Sequence, residues 1–215
     1  MINDFFEKIY CINLDRRPDR WERASRHFAD VGIIAERFSA IDGSIIDNPS
    51  ELKNNEAYGC ALSHRDIITK CKLDNVRNVL ILEDDVVFRQ NFQDHVKENL
   101  ENLTSWDMIY FGGQHKGKPL YLSDGLFKLR KCLATHAYAV SCNFYDEYLK
   151  ITSNMRRPVD VNLAESQLSH DCYVLTMKDE NYTCMTYQEI GYSDIEKRNT
   201  CYHRFFQHLK NYHDK

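Results

Sequence analysis

The chain has 215 residues, 28 of them Lys or Arg against 32 Asp or Glu, a formal net charge of −4 and a hydrophobic fraction of 43%. That composition belongs to one ordinary globular domain. It excludes a disordered or repetitive chain, a bundle of membrane spans and, with no basic stripe, a nucleic-acid binder.

The first apolar run, Lys8 to Leu14, is short and β-rich and predicts a buried strand ending in the turn Asp15-Arg16-Arg17-Pro18. Pro18 opens a helix from Asp19 to about Ala29, which Gly32 closes, and Ile33 to Ala40 predicts a second strand ending at Asp42-Gly43. A polar loop from Ser44 to Asn55 leads to a helix from Gly59 to Leu73, with Ala61, Leu62, Ile67 and Ile68 as its apolar stripe. Asn78 to Leu82 is a third strand running straight into Glu83-Asp84-Asp85, followed by a helix from about Asn91 to Leu103 and a strand from Met108 to Phe111. Such alternation predicts an open α/β sheet with parallel core strands. A hairpin (Leu120 to Leu122 with Leu126 to Lys131), a strand (Ala137 to Val140) and helices at Phe144 to Ile151 and Val161 to Leu168 follow. A last stretch, Thr200 to Tyr212, carries His203, Arg204, Phe205, Phe206, His208 and Lys210, and reads as an amphipathic helix or a loose tail.

Eight cysteines form no C-x-x-C pair, which disfavours zinc ribbons and dithiol redox chemistry. Cys11, Cys142 and Cys172 lie in apolar or strand-like runs and read as small buried hydrophobes, reduced; the alternative is a secretory-pathway protein with some disulfides, where the sequons at Asn102 and Asn181 would permit glycosylation. The N-terminal residues lack the pattern of a signal peptide, so a cytoplasmic protein is expected. The Arg204 to Lys210 segment would offer peripheral contact with a membrane.

Glu83-Asp84-Asp85 is the most informative feature, because ligands of open α/β sheets gather outside the carboxyl ends of the strands. Three adjacent carboxylates repel one another unless a cation intervenes. Mg²⁺ and Mn²⁺ take one or two carboxylates plus substrate phosphates. Strand alternation would put Glu83 and Asp85 on one face and Asp84 on the other, making Glu83 and Asp85 the metal pair. A solvated acidic turn is the alternative. P-loop and G-x-G-x-x-G signatures are absent. A nucleotide-sugar transferase, whose metal neutralises the donor diphosphate, suits the cluster well.

Four stretches then become specific: Ile12-Asn13-Leu14-Asp15-Arg16-Arg17-Pro18-Asp19-Arg20, Arg37-Phe38-Ser39-Ala40-Ile41-Asp42-Gly43, Gly59-Cys60-Ala61-Leu62-Ser63-His64 and Leu80-Ile81-Leu82-Glu83-Asp84-Asp85-Val86. Together with His136-Ala137-Tyr138, Pro158-Val159-Asp160, Gln188 and Gly191-Tyr192-Ser193-Asp194-Ile195, this ordered set resembles the family-25 glycosyltransferases. That family includes lipooligosaccharide galactosyltransferases and collagen β-galactosyltransferases. The resemblance implies a GT-A-like catalytic domain over 1–196, with 197–215 as a C-terminal helix or tail. Its fold would be a Rossmann-like open mixed sheet flanked by helices. It also implies inverting, metal-assisted transfer of a hexose, commonly galactose, from a UDP-sugar. The acceptor would be a hydroxyl on a glycan, a lipid-linked sugar or collagen-like protein; a viral origin would loosen the link between location and acceptor.

Carried over by position, Asn13, Leu14, Arg17, Asp42, Ser63, His64, Asp84, Gln188, Ser193 and Asp194 would face the donor. Arg16 and Arg20 read either as phosphate partners or as a solvated basic turn. His136 would complete a Mn²⁺ shell (or Mg²⁺), with His170, His203 or a structural histidine as alternatives. Asp160 would be the general base, or merely a helix cap. A non-catalytic nucleotide-sugar-binding or protein-interaction domain of the same fold is the competing class.

Overall fold

A computed structural model describes residues 2–101, 103–179, 181–189, 192–195, 198–199 and 209. The helices are α1 (Ile2–Phe5), α2 (Pro18–Asp30), α3 (Asn55–Leu73), α4 (Phe92–Glu101), α5 (Tyr145–Ile151) and α6 (Val159–Ser166). The strands are β1 (Lys8–Asn13), β2 (Glu36–Ser39), β3 (Asn78–Glu83), β4 (Val86–Phe88), β5 (Met108–Tyr110), β6 (Gln114–His115) and β7 (Leu120–Ser123). They continue with β8 (Leu126–Lys128), β9 (Cys132–Leu133), β10 (Ala137–Ser141), β11 (Cys172–Leu175), β12 (Thr186–Gln188), β13 (Tyr192–Ser193) and β14 (Arg198–Asn199).

Eight strands form the main sheet in the order β2-β1-β3-β10-β5-β11-β8-β7, flanked by helices as the sequence predicts. β1 pairs parallel with both β2 and β3, and β11 parallel with β5. The parallel run is not continuous: β10 inserts antiparallel between β3 and β5. Nothing in an apolar run such as Ala137 to Val140 specifies its direction, so local pattern could not foresee the insertion.

Alternation along β3 divides the core. Val79 and Ile81 join Tyr10, Ile67, Tyr138, Tyr148 and Leu163 on the side covered by α3, α5 and α6. Leu80 and Leu82 join Phe28, Val96, Ile109 and Phe111 on the side covered by α2 and α4. The same alternation sends Glu83, the last residue of β3, toward α3.

Several boundaries differ from expectation. α3 begins four residues early because the Asn54 side chain caps it, accepting from Ala57 N–H at 2.8 Å. The polar stretch before it holds a 3-10 turn, Gly43–Ile45, capped by Asp42. β2 is shorter than Ile33 to Ala40, and α6 starts at Val159 rather than Val161. Asp84 and Asp85 form a turn between β3 and β4, so the alternation argument stops at Glu83. Cys11 and Cys172 are buried as expected, whereas Cys142 is exposed; all seven described cysteines are free. The expected helix from Thr200 to Tyr212 lies outside the described residues, apart from Leu209, which is buried in the core.

Candidate active site

The parallel strands β2, β1 and β3 end on one edge of the sheet, and a cavity of about 430 Å³ opens there. Twelve of the fourteen residues named from sequence line it: Asn13, Leu14, Asp42, Ser63, His64, Glu83, Asp84, Asp85, Asp160, Gln188, Ser193 and Asp194. Arg17 and His136 are not among the lining residues.

Each member of the acidic cluster has its own surroundings. Asp84 is held on both oxygens, by Asn13 Nδ2 at 2.6 Å and Arg20 Nη2 at 2.7 Å. Burial nonetheless moves its carboxyl upward. Glu83 Oε1 accepts from Thr135 Oγ1 at 3.1 Å and stands 3.4 Å from His64 Nε2. Burial raises the Glu83 carboxyl, but His64, His136 and Thr135 outweigh it and the net shift is downward. Asp85 is least compensated: Arg20 Nη2 lies 3.2 Å away and Gln188 Nε2 donates at 3.4 Å. Burial and then the Glu83 charge push Asp85 up to about 7.

Behind Glu83 a polar chain enters the core. His64 Nδ1 is 3.1 Å from the Tyr138 hydroxyl, which is 2.8 Å from the Tyr148 hydroxyl. The ring thus stands between the Tyr138 hydroxyl at Nδ1 and the Glu83 carboxylate at Nε2. His64 therefore orients a cavity carboxylate. Its neighbour Ser63 is committed as well, donating to Gly59 O and accepting from Ile41 N–H, each at 2.8 Å.

Asn13 and Asp42 also spend their polar atoms inside the protein. Asn13 donates to Asp84 and to Arg17 O, and accepts from Arg37 Nε at 2.9 Å. Asp42 accepts from Ser44 N–H and Oγ and from Arg16 Nε. Both build the wall rather than present a free amide or carboxylate to a nucleotide. Asp160, the second residue of α6, accepts from Ala134 N–H at 3.1 Å, and burial raises its carboxyl. Ala134 itself has φ of 76°, a left-handed conformation rare for alanine, so the backbone is strained beside that carboxylate.

His136 is fully buried, its Nε2 3.0 Å from Thr186 Oγ1, and burial lowers its ring to about 4. Among the described residues no group of three or more His, Cys, Asp or Glu side chains is arranged to hold a metal ion. The His136 ring, with Nε2 at Thr186, is not among the residues lining the cavity and stands behind its wall, within electrostatic reach of Glu83. The carboxylates still fit a hard cation held by one or two protein oxygens. Seven carboxylates line the cavity (Asp42, Glu56, Glu83, Asp84, Asp85, Asp160, Asp194) against Arg16, Arg20 and Lys53.

Residues 6–163 match the family model described as "Glycosyltransferase family 25 (LPS biosynthesis protein)". The chain belongs to glycosyltransferase family 25. A "Glycosyltransferase 25 family member" of Drosophila melanogaster is 32% identical over 127 residues, covering 49% of this chain and 21% of that protein. A human relative named "Inactive glycosyltransferase 25 family member 3" is 31% identical over 130 residues, covering 50% of this chain and 22% of its own length. The chain thus spans about a fifth of the length of the curated relatives it matches. One solved structure, "a glycosyltransferase involved in the glycosylation of the major capsid of PBCV-1", covers 68% of this chain and 64% of its own. Its identity is 10% and its TM-score 0.40.

The family-25 motifs account for most of the lining, yet sequence reasoning missed Lys53, Glu56, Gln114, Ala134 and Thr135. Thr135 adjoins the His136 motif and had a signal there. Lys53 and Gln114 sit in stretches with no pattern at all.

Proposed function

We propose that this chain is the donor-binding and catalytic part of an inverting hexosyltransferase using a UDP-sugar, with galactose the hexose the family resemblance favours. The charge of the cavity carries this reading. Seven carboxylates against three cationic side chains would repel a bare nucleoside diphosphate, so the ligand must bring a cation with it. A UDP-sugar with Mg²⁺ or Mn²⁺ meets that need, and Asp85, with Glu83 or Asp84, would hold the ion. When bound, such an ion neutralises the diphosphate and stabilises the departing UDP. The carboxylates by themselves suit Mg²⁺ and Mn²⁺ alike.

Asp160 is the general base of this reading. Burial raises its carboxyl above the usual range although the Ala134 and Val161 N–H groups hold it, and it lies on the cavity wall where an acceptor hydroxyl would approach. The acceptor is a hydroxyl of a glycan, a lipid-linked sugar or collagen-like protein, and a panel of these with UDP-galactose, UDP-glucose and UDP-N-acetylglucosamine identifies it. The non-catalytic alternative has one observation in its favour: a relative of comparable identity carries the word inactive in its name.

Isothermal titration of UDP tests the reading. Wild type binds UDP with Mg²⁺ or Mn²⁺ and loses it in EDTA, and Asp85→Ala binds at least about tenfold more weakly even with the ion. Equal affinities for wild type and Asp85→Ala overturn the cation site. UDP binding without UDP release from any donor and acceptor pair supports the non-catalytic class.

A further inference from the structure

Three arginines at the start of α2 converge on a single carboxylate. Asp194 Oδ1 accepts from Arg16 Nη1 at 3.0 Å, while Oδ2 accepts from Arg17 Nη1 at 2.6 Å and Arg20 Nη1 at 3.2 Å. Each arginine also has a partner of its own: Asp42 for Arg16, Asp19 for Arg17, and Asp84 with Asp85 for Arg20. Those partners aim the guanidinium groups, so that one nitrogen of each turns to a common point.

The occupant of that point sits at the end of a short strand. Asp194 follows the two-residue strand β13, which pairs with the equally short β14, and the next residue, Ile195, is tied by Asn54 Nδ2 donating to its carbonyl at 3.0 Å. The Asp194 side chain is 15% exposed and lies on the cavity wall with Arg16 and Arg20. Three guanidinium nitrogens facing two carboxylate oxygens leave donor capacity that a diphosphate, with more anionic oxygens, would use better.

We propose that the Arg16, Arg17 and Arg20 nitrogens are the diphosphate subsite and that Asp194 is its resident anion, displaced when the donor arrives. This inference rests on the UDP-sugar reading for the source of the diphosphate, but on the arginine geometry for the subsite. Asp194 then acts as a built-in competitor. Apparent affinity for the ligand falls by the fraction of molecules in which the carboxylate is out, and removing the carboxylate restores it. A ligand with one weak anionic group cannot win the exchange, so the resident also screens ligands.

Calorimetric titration of the full chain in the presence of Mg²⁺, with inorganic pyrophosphate and separately with UDP, tests the proposal on wild type, Asp194→Asn, Asp194→Ser and Glu22→Gln. Both Asp194 variants should bind pyrophosphate about tenfold more tightly than wild type. Glu22→Gln removes the same charge from an exposed carboxylate of α2 that pairs with Arg26 away from the cavity, and should change affinity by less than about twofold. Unchanged or weaker pyrophosphate binding by the Asp194 variants overturns the proposal. So does an equal gain in Glu22→Gln, which would make net charge the cause. Failure of both Asp194 variants to fold overturns it too, because a displaceable carboxylate cannot be required by the fold. If UDP binds wild type and Asp194→Asn equally, the subsite falls and the donor reading stands. If UDP binds neither while the pyrophosphate gain persists, the donor reading falls and the subsite stands.

Discussion

At the scale of single residues, Asp85 separates folding from function. Its carboxyl is buried beside Glu83 and Asp84, with Arg20 and Gln188 to compensate among the described residues, and its pKa is raised to about 7. The unfolded carboxyl titrates near 3.9, so between about pH 4 and 7 the native state binds the extra proton. Stability of the metal-free protein therefore falls as pH rises through that window. Asp85→Asn removes this titration while keeping the shape of the side chain. In EDTA at pH 8 it should melt several degrees above wild type, at about 2–4 °C for each kcal/mol in a domain of this size. The gain should vanish near pH 4. Thermal melts of both proteins across that range check the expectation, and a difference independent of pH would show that Asp85 is not the titrating group. On the cation site proposed above, binding of the ion would offset that loss of stability.

At the scale of elements, the wall between α3 and the segment after β2 depends on backbone contact. A Cβ on Gly59 would meet Ile41 O at 2.6 Å and Gly43 N at 2.7 Å, and a Cβ on Gly43 would meet Asn55 O at 2.1 Å. Ser63, one helical turn beyond Gly59, closes the same seam through Ile41 N–H. The seam sets how far Asp42 stands from His64 and Glu83. Gly59→Ala gains helix propensity of up to about 1 kcal/mol, but overpacking of a tight contact is worth about 1–3 kcal/mol in the opposite direction. The net expectation is a loss of about 1–2 kcal/mol in urea denaturation, together with weaker UDP binding by titration. Wild-type stability and affinity in Gly59→Ala would mean that α3 can shift without disturbing the site. The sequence shows why this seam was only half legible. Gly43 and Gly59 stand in the resembling motifs, but glycine in a helical pattern signals a close approach without naming what approaches.

For the molecule as a whole, the legible parts were those with a local physical signature. Pro18 opening α2, the apolar run of β3 ending in carboxylates, and the stripe of α3 each state their role in a few residues. What escaped was long-range. The antiparallel direction of β10 arises from pairing with β3 and β5, the pairing of β4 with β12 joins residues about a hundred apart, and His136 turns to Thr186 because of that assembly. The end of the chain poses the same problem. The motif pattern stops near residue 196, which suggested a C-terminal helix or loose tail beyond the domain, and Leu209 is 1% exposed within the cluster formed by Tyr138, Tyr148 and Leu163. Its backbone N–H donates to the carbonyls of Asn181 and Tyr182, each at 3.2 Å. A leucine in that setting contributes as any core leucine does, and truncation leaves a cavity the sheet cannot collapse around. Leu209→Ala should lower stability by about 2–4 kcal/mol in urea denaturation. Leu120→Ala, at a side chain 50% exposed on the edge strand β7, should change it by less than about 0.5 kcal/mol. Equal small effects at both positions would place Leu209 outside the folding unit and return the domain boundary to residue 196.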